Sequence, residues 1–413
     1  RFDGWVIDGG PDALLVQKPA AIELCRELGL GDRLTPTLTP RTAYILKDGR
    51  LHALAEGSFL GFPVSFGSLA RASTFSLPGR LRMGLEVLVP RQAEAGDESI
   101  AAFVRRRFGQ EAVDYLAEPL LAGIHAGDAE RLSMRALFPR LLDAERRSGS
   151  VLRAFRSMRI TPSRQGAFLS LPGGVGELVD ALVATLANDT IRLGARVTEL
   201  RRGAGYTVES SAGAVRARAV VLAVPAYVTA ELVRGLDTGL AALCESIPYA
   251  STATVAFGYR SSQVPHPMRG SGFVVPRVER RALLAGTWVT SKWPGRAPEG
   301  HVLLRGFLGG GRDPHRLDDG DERLIALARA ELTSLLGITG DPIFARLYRW
   351  ARQSPQYEVG HLERVAGMGG RLAAIPGLFV TGSGFRGIGI PDGVADARAT
   401  AGQADAFLAS APA

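Results

Sequence analysis

The chain has 413 residues, more than one hydrophobic core ordinarily serves, so two or three domains are expected. Hydrophobic residues make up 46% and charged residues 22%, the balance of an ordinary globular protein. The formal net charge of +8 favours anionic partners: a polycarboxylate, a phosphate-bearing cofactor or an anionic membrane surface. A solvated, Arg-rich surface would give the same count, and no Lys/Arg block with interleaved aromatics argues for nucleic acid. Two distant cysteines, Cys25 and Cys244, and six dispersed histidines argue against a disulfide scaffold and a structural zinc site. A reducing cytoplasm fits best. The longest apolar run, 219–228, is too short to span a bilayer and contains Pro225.

The opening Arg1-Phe2-Asp3-Gly4-Trp5 reads as the middle of a strand and turn, so a fragment is expected. The spacing of Ile22, Leu24, Cys25 and Leu28 predicts a helix over 17–30, stopped at Gly29. Two short apolar runs around Asp48-Gly49 predict a hairpin over 42–54. Helical segments follow at 78–89, 98–108, 109–122 and 133–146, with Asp97 as a candidate N-cap. The stretch 75–89 mixes apolar residues with Arg80 and Arg82, which suits either a membrane-surface helix or a buried bundle helix. From 168 onward the pattern returns to α/β: a strand end, the turn Pro172-Gly173-Gly174 and a helix, then strands over 191–202, 206–210 and 216–225. Residues 250–310 are rich in strands, 320–337 form a helix, 378–383 a strand, and a closing helix runs from about Gly393 to Leu408.

The most informative stretch is 378–401. A buried strand leads into glycines at 382, 384, 387 and 389 and then into a helix. Glycines let the backbone approach a ligand closely, and a fresh helix aims N–H groups and its positive dipole end at an anion. Asp392 can cap that helix. A tight turn before a helix would look the same.

The run Gly382-Ser383-Gly384-Phe385-Arg386-Gly387-Ile388-Gly389-Ile390-Pro391-Asp392 resembles the C-terminal FAD-binding signature of the protoporphyrinogen/coproporphyrinogen oxidase family. Four further stretches, 3–30, 98–141, 171–182 and 354–365, resemble that family in the same order, so the resemblance covers essentially the whole chain. It implies an α/β and α+β fold with three interleaved parts. These are an FAD-binding Rossmann-like domain (1–40, 163–240 and 372–413), a mixed-sheet substrate domain (41–70 and 241–371) and a helical, membrane-facing subdomain (71–162). The family's opening strand–GxGxxG–helix, which holds the FAD pyrophosphate, has no counterpart in this sequence, so weakened FAD binding is expected.

Carried over residue by residue, the resemblance places Gly10, Pro11, Asp12 and Ala13 against the flavin and the Val197 backbone at the adenine. It makes Gly382, Ser383, Gly387, Ile388, Gly389 and Ile390 the C-terminal FAD contacts. It implies a porphyrinogen pocket lined by Val274, Trp288 and Phe307, residues that would equally serve as sheet core. Gly123, Ile124 and His125 lie near the substrate, and His52 falls where plant members carry an arginine. His125 would serve equally as a satisfied, partly buried histidine. The implied reaction is a six-electron oxidation of coproporphyrinogen III or protoporphyrinogen IX in haem synthesis, with dioxygen as acceptor. Ile390-Pro391-Asp392 leans towards the copro substrate. No side chain presents itself as a general base. Another flavin amine oxidase or desaturase, and a flavin-free tetrapyrrole-binding relative, are the rival readings.

Overall fold

A computed structural model describes residues 1–54, 58–59, 61–63, 66–92, 96–157 and 166–410. The described residues form a mixed α/β structure that divides into two compact units. One comprises Arg1–Ala13, Thr35–Val175 and Tyr249–Val359, the other Leu14–Leu34, Gly176–Pro248 and Gly360–Ala413. Compared with the expected three parts, residues 1–13, 35–40 and 166–175 group with the large sheet, the helical segments share that unit, and 241–248 and 360–371 group with the other. The expected boundary at 162–163 lies outside the described residues.

The first unit is organised by a seven-stranded sheet. Its order across is Phe344–Pro355, Tyr249–Arg260, His301–Gly309, Leu283–Trp288, Gly272–Val274, Ala43–Lys47 and Arg50–Ala53. All neighbours are antiparallel except Gly272–Val274 with Ala43–Lys47. The last two strands are the expected hairpin. Asp48 and Gly49 both take positive φ, as a two-residue turn matching the strand twist requires. One sheet face is sealed by the helix Asp321–Leu336, which buries Leu324, Ala328, Leu332 and Leu336 at four-residue spacing.

The opposite face is covered at both ends. At one end Ile45 and Val274 meet the core of the helical segments, built around Phe62, Phe103, Phe108 and Leu116. At the other, Trp5 packs with Ala256, Val289, Trp293 and Leu303. Among the helices, Ser99 rather than Asp97 caps Ile100–Phe108. Its Oγ accepts from Ala102 N at 3.1 Å, while Asp97 accepts instead from the Ser133 hydroxyl at 2.7 Å. The expected helix 109–122 is wound largely as a π-helix, Val113–Ala122, with Pro119 inside it. Proline cannot donate its i→i−4 bond, and a wider turn accommodates that loss.

In the second unit, Val197–Arg202, Tyr206–Ser210 and Gly213–Ala217 form an antiparallel meander. Val220–Leu222 pairs in parallel with Leu378–Val380. The closing helix Ile390–Ser410 begins three residues earlier than expected, because Pro391 is tolerated in a first turn where no partner is lost. It packs on Ala20–Glu27, with Arg398 and Glu27 paired at 2.5 Å.

Candidate active site

In the first unit, residues 8–12 form a ledge held by buried charge. Lys292 Nζ lies 2.8 Å from one Asp12 oxygen, and Arg305 donates to the other at 2.5 Å, joined by Trp293 Nε1 at 3.3 Å. A second Arg305 nitrogen donates to the carbonyls of Asp8 (2.7 Å) and Gly10 (2.9 Å). Arg296 pairs with Asp8 at 3.0 Å and donates to Ser170 Oγ at 2.9 Å, whose hydroxyl donates to the Asp12 carbonyl at 2.7 Å. Trp350 Nε1 donates to the Gly9 carbonyl at 2.9 Å.

The two carboxylates respond in opposite ways. Burial pushes the Asp12 carboxyl up, but Arg305 and Lys292 outweigh it and hold the group well below the usual carboxylate range. Burial pushes Asp8 up as well, and there Arg296 offsets it only in part. Asp12 is therefore committed as an anion to its partners and is not a free base.

Beside this ledge, residues paired across neighbouring strands face the same side of the sheet. The registers define one row, His52–Ile45–Val274–Ala285–Phe307–Thr254–Tyr348. Three of the residues implied to meet substrate, His52, Val274 and Phe307, stand in it. Ile45, at one end, is buried in the helical core. At the other end the ledge presses on the row: a side chain at Gly9 would meet the Tyr348 ring at 2.6 Å. Between them Val274, Ala285 and Phe307 keep part of their surface open. Arg305 stacks its guanidinium over the Phe307 ring at 5.3 Å, joining ledge to row.

Trp288 does not share this face. It is fully buried in the core beneath Asp321–Leu336, against Tyr44, His266 and Phe273. Plain alternation is the reason: Trp288 stands opposite Leu304, three residues from Phe307, and an odd separation along a strand puts the two on opposite faces. Gly123 and Ile124 lie in the short 3-10 turn Gly123–His125 that follows the π-helical segment, with Ile124 exposed. The His125 carbonyl next to them accepts from Ser354 Oγ (3.0 Å) and Gln356 Nε2 (3.1 Å).

In the second unit the turn 382–389 is shaped by backbone. Gly382 and Gly387 have φ of 115° and 106°, values side chains rarely adopt. A Cβ at Gly387 would come within 2.3 Å of Asp392 Cβ, whereas one at Gly382 would meet nothing. Asp396 fastens the turn: it accepts from Thr381 Oγ1 at 2.7 Å and Gly382 N at 3.1 Å and pairs with Arg386. Asp392 pairs with Lys18 at 2.7 Å and accepts from Gly389 N at 3.4 Å, the capping role expected of it. Ser383 and Gly389 are exposed, Ile388 and Ile390 half-buried. The 21-residue helix Ile390–Ser410 points its positive end at this turn. Val197 opens its strand, partly exposed, opposite Ser210. Small residues, positive φ and a long helix N-terminus suit a phosphate-bearing, flat cofactor edge.

The residues that lock the ledge, Asp8, Ser170, Lys292, Trp293, Arg296, Arg305 and Trp350, were not singled out from the sequence. One signal was present: Arg305 interrupts the otherwise apolar strand HVLLRGFLG, and a charge inside a buried strand calls for a partner.

Residues 1–404 match the model of a family described as flavin containing amine oxidoreductase. The chain belongs to this family. Among its relatives, the coproporphyrinogen III oxidase of Bacillus subtilis is 33% identical over 99% of this chain and 89% of its own length. That of Mycobacterium tuberculosis is 34% identical over 95% and 84%. A protein from Exiguobacterium sp. 255-15, provisionally named a protoporphyrinogen oxidase, has a solved structure that superposes with a TM-score of 0.88. It is 30% identical, over 99% of this chain and 89% of its own.

Proposed function

We propose that the chain is an FAD-dependent porphyrinogen oxidase of haem biosynthesis that takes coproporphyrinogen III. The observation that carries the reading is the half-open row Val274–Ala285–Phe307 lying beside a rigidly held ledge, in a chain that aligns end to end with coproporphyrinogen III oxidases. FAD would be held by the ledge Gly10, Pro11, Asp12 and Ala13, by Gly382, Ser383, Gly387, Ile388, Gly389 and Ile390, and by the Val197 backbone. Bound FAD supplies a hydride acceptor that dioxygen regenerates, releasing hydrogen peroxide.

The chain's own residues bind and orient. Val274, Ala285 and Phe307 offer a flat apolar surface to a tetrapyrrole. Gly123, Ile124 and His52 belong to the same substrate environment. Trp288 supports the sheet from beneath. The ledge carboxylate is neutralised by its partners, so no proton transfer is assigned to it. The cofactor-binding role falls to 1–40, 163–240 and 372–413, the substrate role to 41–70 and 241–371, and a membrane-facing role to the helical part 71–162.

Among the described residues no helix is long and apolar enough to cross a membrane. The contact proposed for the helical part is peripheral, for a protein otherwise in the cytoplasm. Leu77, Leu81, Leu85 and Leu88 repeat at helical spacing and are 73%, 71%, 53% and 70% exposed, flanked by Arg71, Arg80, Arg82 and Arg91. Anionic vesicles should therefore bind the chain, and Leu81→Ser with Leu85→Ser should weaken co-sedimentation about tenfold with little change in stability. Equal sedimentation of the two proteins would remove the membrane role.

The activity test is porphyrin fluorescence. Protein carrying FAD is given coproporphyrinogen III and protoporphyrinogen IX separately in air. Emission rising well above autoxidation, and faster with the copro substrate, is expected. No rise with either, in protein whose absorbance shows bound FAD, would overturn the reading in favour of another flavin-oxidase substrate.

A further inference from the structure

Arg305 sits where the two halves of the proposed site meet within the first unit. Its guanidinium is 3% exposed and has four acceptors in reach: the Asp8 carbonyl, the Gly10 carbonyl, one Asp12 oxygen and the face of the Phe307 ring. It projects from the middle of His301–Gly309, two residues from Phe307 on the same face, and opposite Thr287 and Ala256 in the paired strands. It bonds the ledge backbone at two carbonyls and the ledge carboxylate as well. Lys292, Trp293 and Trp350 each hold one point of it. The ledge itself has no strand partner over 8–12, so these side-chain bonds take the place of a ladder.

From this placement we infer that Arg305 is a positioning residue for the oxidation: it sets the separation and tilt between the cofactor ledge 8–12 and the substrate face at Phe307. The inference rests on the reading of the site as a flavin-dependent one, and its structural half can be tested without cofactor or substrate. A planar fork with fixed donor directions transmits position, because moving the ledge breaks two carbonyl bonds and the carboxylate bond together. Lysine at the same place would keep the charge opposite Asp12 and lose the fork. Hydride transfer depends steeply on alignment, and a displacement of about 1 Å costs on the order of a hundredfold in rate.

Arg305→Lys is the decisive variant. Hydrogen–deuterium exchange on the chain alone should show peptides covering 6–13 exchanging about tenfold faster, with the helix Asp321–Leu336 on the far face unchanged. In protein carrying FAD, kcat for porphyrinogen oxidation should fall at least about tenfold while KM changes less than about threefold, the pattern of lost alignment rather than lost binding. Unaltered exchange over 6–13, or exchange rising equally on the far helix, overturns the inference. Should Arg305→Lys not fold, Phe307→Leu decides, since it removes the ring beneath the guanidinium and no charge. Faster exchange over 6–13 is then expected, and an unchanged ledge overturns the coupling. A wild-type chain that holds FAD and oxidises no porphyrinogen would sink the functional reading and leave the exchange result standing.

Discussion

The ledge 8–12 in the first unit and the turn 382–389 in the second, each proposed as a cofactor contact, are built by opposite means. The ledge is an irregular segment fixed by side chains almost three hundred residues away, with Lys292, Arg296 and Arg305 closing on Asp8 and Asp12. The turn is fixed by its own backbone, by glycines at positive φ and by Asp396 fourteen residues further on. Long-range charge gives rigidity that is costly to disturb, because one removed partner strands another buried ion. Local conformation gives shape that any nearby helix start can keep, at the cost of tolerating few residue types.

The contrast yields three tests, in falling order of effect. Asp12→Ala should be the most damaging, since it leaves the buried Arg305 and the half-buried Lys292 without their counter-ion. A loss of about 3–5 kcal/mol in urea unfolding is expected, and a loss under about 1 kcal/mol would show that the ledge is held by its carbonyl bonds alone. In the turn, Gly387→Ala should cost about 2–3 kcal/mol, from strain and a clash with Asp392, while Gly382→Ala should cost only about 1 kcal/mol because its surroundings are open. Equal losses would mean that backbone strain, and not packing, governs both.

The smallest effect is a slope. The folded Asp8 carboxyl is shifted up, so its contribution to stability is present below the unfolded value of about 3.9 and is lost as pH rises through the folded one. The folded Asp12 carboxyl is shifted down, so its contribution is present above that unfolded value and lost only as pH falls through the folded one. Against wild type, Asp8→Asn should therefore gain relative stability from pH 3.5 to 7, and Asp12→Asn should lose it, each measured by denaturant midpoint. Parallel slopes would break the distinction between the two carboxylates.

What the sequence disclosed follows the same division. The hairpin at Asp48-Gly49, the glycine turn with its capping Asp392 and the long closing helix were all legible, because each is specified by neighbours in the chain. Fold class and family were legible for a related reason: motifs in order survive without knowledge of contacts. The lock on the ledge was not, since nothing near Asp12 announces Lys292 or Arg305. The side on which Trp288 falls was not legible either, since it is set by the pairing of Trp288 with Leu304, a long-range register that the sequence does not state. The cap at Ser99 was missed in favour of Asp97 because both are good caps and only the bond from Ala102 decides between them.

The row from His52 to Tyr348 has a consequence for how this enzyme can change. Its seven positions come from seven strands, at a pitch of about 4.8 Å set by the sheet and not by the side chains. An exchange at one of its open positions leaves the spacing of the others unchanged, because the ladder that spaces them is backbone. Such a face works like a ruler with replaceable marks. A lineage could change the proposed substrate face one mark at a time, starting from the half-open Val274 and Ala285, while Phe307, tied to the ledge through Arg305, stays as it is.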